Sequence, residues 1–117
     1  MERARALLAP VLLALAACGD VGCGNEVISR VASPDGHMEA VAFARSCGAT
    51  TGLSTQLSIL PAGQLPEGSG NILVLDGSIP LKLAWLSNNS FSVSGLGSAK
   101  VFREASQASG VEVSYGK

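Results

Sequence analysis

Charge, aromatic rings and histidine are all scarce in these 117 residues. Only 15% of the chain is charged and 4% aromatic, and His37 is the sole histidine. Each shortage excludes something. With no basic run or stripe, no clustered positive face for nucleic acid is predicted. With one histidine and no C-x-x-C pair, a zinc site lacks ligands, and neither metal nor cofactor is expected. P-loop, H-E-x-x-H, complete G-x-G-x-x-G and EF-hand patterns are missing as well. Asp35, Glu67 and Asp76 lie in predicted turns, where acids serve the backbone, so they do not read as a glycosidase pair. No apolar run reaches the about 20 residues that a membrane-spanning helix requires.

What the chain does have begins at its start. An uncharged apolar stretch runs from Ala6 to Ala17, interrupted by Pro10 and preceded by Arg3 and Arg5. A basic start, a short hydrophobic region and then small residues form the layout of an export signal, a helix over residues 1–17. Leu15-Ala16-Ala17-Cys18 resembles the lipobox of bacterial lipoproteins, whose cysteine is acylated and becomes the mature N-terminus. That resemblance implies a lipidated Cys18, a membrane held through the lipid, and a cell-envelope location facing the periplasm or exterior. An ordinary signal cut near Ala17 is the competing reading. Removing residues 1–17 leaves 100 residues with 6 basic and 8 acidic side chains, enough for one small domain. The charges are scattered singly, so the covalent lipid alone is expected to supply attachment.

Of the three cysteines, Cys23 and Cys47 remain. They form an even pair in a compartment where disulfides persist. An intramolecular bridge is expected, worth roughly 3 kcal/mol through loop closure. Free buried thiols, a metal, or pairing with another molecule stay open as alternatives.

Past a glycine-rich tether over residues 18–25, β signals recur at short spacing through a single domain at 26–117. EVISRVAS ends at Ser33-Pro34-Asp35-Gly36, where proline presets φ, aspartate caps and glycine takes the left-handed conformation. In HMEAVAFARS, Val41 and Phe43 alternate with alanines small enough to press against another layer. STQLSIL alternates as a half-buried strand does, and PAGQLPEGSG reads as a loop. NILVL followed by Asp76-Gly77 predicts a hairpin returning through LKLAWLS. Asn88-Asn89 predicts another turn, and SFSVSG, KVFRE and GVEVSY complete the set. Trp85, Tyr115, Phe43, Phe91 and Phe102 fall on alternating positions, which predicts core packing for all five. The expected fold is all-β: a small antiparallel meander sheet or sandwich of roughly six to eight short strands.

Two resemblances add to this. SPDG followed by an alternating strand is similar to single blades of TolB-like β-propellers, although 100 residues cannot supply the several blades of about 40 residues a propeller takes. More closely, SPDG, then Phe43-x-Arg45-x-CGATTG, STQ, Trp85-Leu86 and Gly110-Val-x-Val-x-Tyr115 resembles a family of small bacterial envelope proteins, often lipoproteins, with no established activity. The resemblance implies location and domain integrity alone.

One segment invites a chemical reading. SCGATTGLSTQ places Thr50, Thr51, Ser54, Thr55 and Gln56 beside Cys47, a candidate recognition loop for an envelope protein or a glycan. Those groups also suit a loop that satisfies its own backbone. A catalytic alternative takes Cys47 or Ser54 as nucleophile with His37 as base. Gln56 stands where the second glycine of G-x-S-x-G belongs, so the nucleophile elbow is incomplete. The expected function is therefore a non-enzymatic, lipid-anchored binding or accessory module. The other alternative is a subunit that completes another protein's sheet through an edge strand.

Overall fold

The computed structural model describes residues 22–48 and 52–117. The expected export signal, Cys18, Thr50 and Thr51 lie outside the described residues. Strand β1 spans Gly24–Ala32, β2 Met38–Ser46, β3 Ser54–Pro61 and β4 Leu73–Asp76. Strand β5 spans Lys82–Ser87, β6 Ser90–Ser94, β7 Val101–Glu104, β8 Gln107–Ala108 and β9 Val111–Tyr115. No helix occurs among the described residues. The all-β expectation holds, with nine strands rather than six to eight because two-residue β8 makes a short pairing of its own. Strand β1 starts at Gly24, two residues ahead of the expected domain boundary.

The strands form two sheets, ordered β1-β2-β3-β4-β7 and β5-β6-β9-β8. Between them lies one apolar core. Ala40 and Ala42 of β2, Leu57 and Ile59 of β3 and Leu73 and Leu75 of β4 meet Phe91, Val93, Val111 and Val113 from the second sheet. The alanines of β2 thus do face another layer, where their small volume lets the sheets approach. Trp85 packs against this core with its ring centroid 4.9 Å from that of Phe91, and its indole N–H donates to Val31 O at 2.7 Å. That bond joins β5 to β1 along one side of the sandwich.

Two predicted turns form. Residues 33–36 close the β1–β2 hairpin, with Gly36 at φ 76° and its N–H donating to Ser33 O. Asn88-Asn89 closes β5–β6, and the Asn88 Oδ1 accepts the Asp35 N–H at 2.9 Å, so the two turns share one end of the molecule. The predicted hairpin at Asp76-Gly77 does not form. Strand β4 pairs with β3 and β7, and the chain instead leaves the first sheet for the second. Thr55 in β3 causes the diversion. Its hydroxyl donates to Gly77 O at 2.7 Å and accepts the Ile79 N–H at 2.9 Å, drawing the backbone across the core. A two-residue hairpin also needs a following strand that donates along its partner, and Pro80 has no N–H.

Strand β6 runs parallel to β9 and not antiparallel, because a visit to the first sheet separates them. The chain leaves β6, adds β7 beside β4, and re-enters the second sheet from the end where β6 began. Tyr115 ties that crossing together. Its hydroxyl donates to Ala105 O at 2.6 Å and lies 3.1 Å from Ile72 O. Burial, and then the nearby Glu104 carboxylate, push the Tyr115 hydroxyl up to about 12 from 10.0. The raised value stabilises the fold fully below pH about 10, and that contribution fades as pH climbs through the folded value. Tyr115→Phe is therefore expected to cost about 1 kcal/mol at neutral pH. Its unfolding midpoint should also fall less steeply than the parent's between pH 10 and 12 in a thermal series.

Both faces of β2 and β3 are covered, which corrects the half-buried reading of STQLSIL. Thr55, Gln56, Leu57, Ser58 and Ile59 are all buried. Val41 and Phe43 are fully buried as well, yet they lie outside the intersheet core. Their face is roofed by residues 62–71, the stretch predicted as a plain loop.

Candidate functional site

The roof is held by polar side chains that rise from the outer face of the first sheet. Glu39 accepts the Gly63 N–H at 2.8 Å, and Arg30 donates to the same carboxylate oxygen at 2.8 Å. The Gly63 bond, opposed by desolvation and aided by Arg30, keeps the Glu39 carboxyl below its usual range. Asn25 donates to Pro66 O at 3.2 Å and to Gly68 O at 2.9 Å. Arg45 in turn donates to Asn25 Oδ1 at 2.8 Å and to Gly68 O at 3.2 Å. Gln56 Oε1 accepts the buried Gly70 N–H at 2.7 Å, and Arg103 donates to Gly70 O at 3.0 Å. Asn71 finishes the seam: its amide mimics a strand residue, accepting from Ile59 N and donating to Ile59 O, both at 2.9 Å.

This seam answers what the polar letters of the SCGATTGLSTQ segment do. Ser54, Thr55 and Gln56 are not loop residues but the first turn-facing half of β3. Ser54 Oγ takes the Gln56 amide at 2.7 Å and donates to Arg45 O at 3.3 Å. Gln56 is spent on Gly70, and Thr55 on Gly77 and Ile79. Among the described residues no buried polar side-chain atom is left without a partner. Thr55 and Gln56 are each only 3% exposed, so neither can meet a ligand. Their role is structural, because a buried amide or hydroxyl without a partner costs about 1–3 kcal/mol.

Cys23 and Cys47 form a disulfide across 24 positions, joining the start of β1 to the end of β2. Both cysteines are exposed. A polar groove of about 490 Å³ opens beside the bridge, lined by Cys23, Asn25, Arg45, Pro66, Glu67 and Gly68. His37 sits elsewhere. It is ten positions from Cys47, at the opposite end of β2, about 30 Å away along an extended strand. Ser54 pairs with Arg45 near the disulfide, while the His37 carbonyl accepts from Ala62 at the far end of β3. The structure therefore does not bring His37 to Cys47 or Ser54, and both catalytic pairings fall.

His37 belongs to the turn cluster. Its Nδ1 lies 3.3 Å from Asp35 Oδ2, and Ser33 Oγ donates to Asp35 Oδ1 at 2.7 Å. The His37 N–H bond and then the Ser33 bond hold the Asp35 carboxyl below its usual range. Serine, aspartate and histidine meet here in the wrong order for catalysis: the hydroxyl is bound to the acid and not to the imidazole. The cluster is an aspartate cap on a tight turn. No group of three or more His, Cys, Asp or Glu able to hold a metal occurs among the described residues.

No family model, curated protein or solved structure matches the chain at a significant level.

One feature escaped sequence reasoning altogether. Each long edge strand carries a bulge, and the extra residue is a large apolar one. The register slips at Ile28 in β1, at Leu86 in β5 and at Phe102 in β7. These side chains are 60%, 65% and 58% exposed. Phe102, expected in the core, is turned outward by this bulge, with the Lys100 ammonium 5.3 Å from its ring centre. Periodicity could not place it, since one inserted residue reverses the facing of those after it.

Proposed function

We propose that this protein is a lipid-anchored component of the bacterial cell envelope, a non-enzymatic binding or accessory module. The observation that carries the reading is the distribution of the cysteines. Cys23 and Cys47 occupy each other, which suits an oxidising compartment beyond the inner membrane. Cys18 is then the odd cysteine, five residues ahead of the bridge, where the export signal and lipobox-like segment end. A non-enzymatic role is supported by the separation of His37 from Cys47 and Ser54 and by the internal use of Ser54, Thr55 and Gln56. Completion of another protein's sheet is disfavoured, because a bulge interrupts the ladder at β1, β5 and β7. A partner protein or glycan would more readily meet side chains than an edge.

Intact mass of the protein extracted from its native membrane, alkylated without reduction, tests the anchor. A mass equal to residues 18–117 plus acyl chains, with no alkyl adduct, is expected. An unacylated mass would overturn the anchor, and an adduct on Cys47 would reopen thiol chemistry.

A further inference from the structure

The lysines were scattered in the sequence at 82, 100 and 117, and they are the only three in the chain. The fold gathers them. Lys82 opens β5 and pairs with Ser94 at the close of β6. Lys117 follows Gly116, whose N–H donates to Val93 O at 2.8 Å beside that same strand end. Lys100 precedes β7, and its carbonyl accepts the Asp76 N–H at 2.9 Å. Asp76 pairs with Ser54, Ser54 with Arg45, and Gly24 with Ser46 next to the disulfide. All three lysines therefore crown the end of the sandwich that carries Cys23–Cys47. Each is exposed, and none pairs with a carboxylate among the described residues.

The charge is polarised as a result. Arg45, Arg103 and the three lysines share the disulfide end with Glu26, Glu67, Asp76 and Glu104, a side-chain balance of +1. The turn end holds Asp35, Glu39 and Glu112 against Arg30, a side-chain balance of −2 with His37 left out of the count. Leu53, 49% exposed, adds an apolar side chain to the disulfide end, where its carbonyl accepts from Gly77 N.

Covalent reach points the same end at a membrane. Five residue steps separate Cys18 from Cys23, at most about 18 Å of chain at full extension. Resting on the anchor proposed above, we infer that the disulfide end is a bilayer-facing surface, its lysines set against anionic phospholipid headgroups. Juxtamembrane lysines are drawn to such a surface within about one Debye length, roughly 10 Å. The acidic turn end then faces outward, since like charge repels it from the same lipid.

Amine footprinting of the native acylated protein tests the face. The protein is reconstituted into phosphatidylcholine vesicles and into vesicles containing phosphatidylglycerol, then acetylated with a water-soluble amine reagent. Lys82, Lys100 and Lys117 are expected to react about threefold or more slowly on the anionic vesicles, with the difference abolished by high salt. Modification of His37 by diethyl pyrocarbonate should be unchanged between the two. Equal lysine rates on both vesicles, or slowing confined to His37, would overturn the inference. Intact mass separates the two readings: an acylated protein with equal rates keeps the anchor and removes the face. An unacylated chain whose lysines are still protected on anionic vesicles removes the anchor and keeps the face.

Discussion

Gly70→Ala is expected to lower the thermal midpoint by about 15 °C, the steepest loss of any single methyl group in this protein. A Cβ at position 70 would lie 2.7 Å from Leu57 O, 2.7 Å from Leu73 O and 2.8 Å from Leu57 N. All three atoms are backbone, and none can rotate away. The roof would have to lift from β3, and with it the Gly70 N–H bond to Gln56 and the Arg103 bond to Gly70 O. Strand β3 would then expose Gln56 and Ser58, and Phe43 would lose its cover. Losses of this kind cost about 3 kcal/mol or more. Gly24→Ala is the control, since a Cβ there meets nothing within 4 Å and its φ is not positive. Circular dichroism melts of the two variants check the claim. An unchanged midpoint for Gly70→Ala would mean that the roof is not seated as described.

The disulfide carries the second large effect. Replacing Cys23 and Cys47 together by alanine is expected to lower unfolding stability by about 3 kcal/mol, read as a shift in the urea midpoint. A bridge spanning 24 positions restricts the unfolded chain, and in the native state it pins the outermost strand. Strand β1 needs that pin. It is an edge strand, bulged at Ile28, and its burial pattern is mostly exposed. Hydrogen exchange should therefore quicken at Asn25 and Val27 in the double variant and stay slow at Leu57 and Ile59. Uniform quickening across β3 would show that the bridge supports the whole sandwich rather than the end of one strand.

Both effects were only partly legible in the sequence. Cysteine number and the expected compartment predicted the bridge, because two thiols in an oxidising space would have few other fates. Alternation predicted the strands at LKLAWLS, SFSVSG and GVEVSY, where one face meets the core and one meets water. The turns at SPDG and NN followed from local chemistry that tertiary contacts had no cause to override.

Alternation failed where its premise failed. In β3 the outer face is roofed by the chain itself, so Gln56 and Ser58 look solvent-facing in sequence and are buried in fact. No local signal marks Gly70 as a contact point, since two of the three atoms that crowd it belong to Leu57, thirteen positions earlier on β3. Asp76-Gly77 could turn either way, and a hydroxyl on Thr55, some twenty positions earlier, decided it. Composition and spacing by themselves determined the class of fold, the pairing of Cys23 with Cys47 and two of the hairpins, because these depend on residue counts and on neighbours along the chain. Which face is covered, which residue is bulged and which end collects the lysines depend on distances between remote segments, and only the packed sheets set those distances.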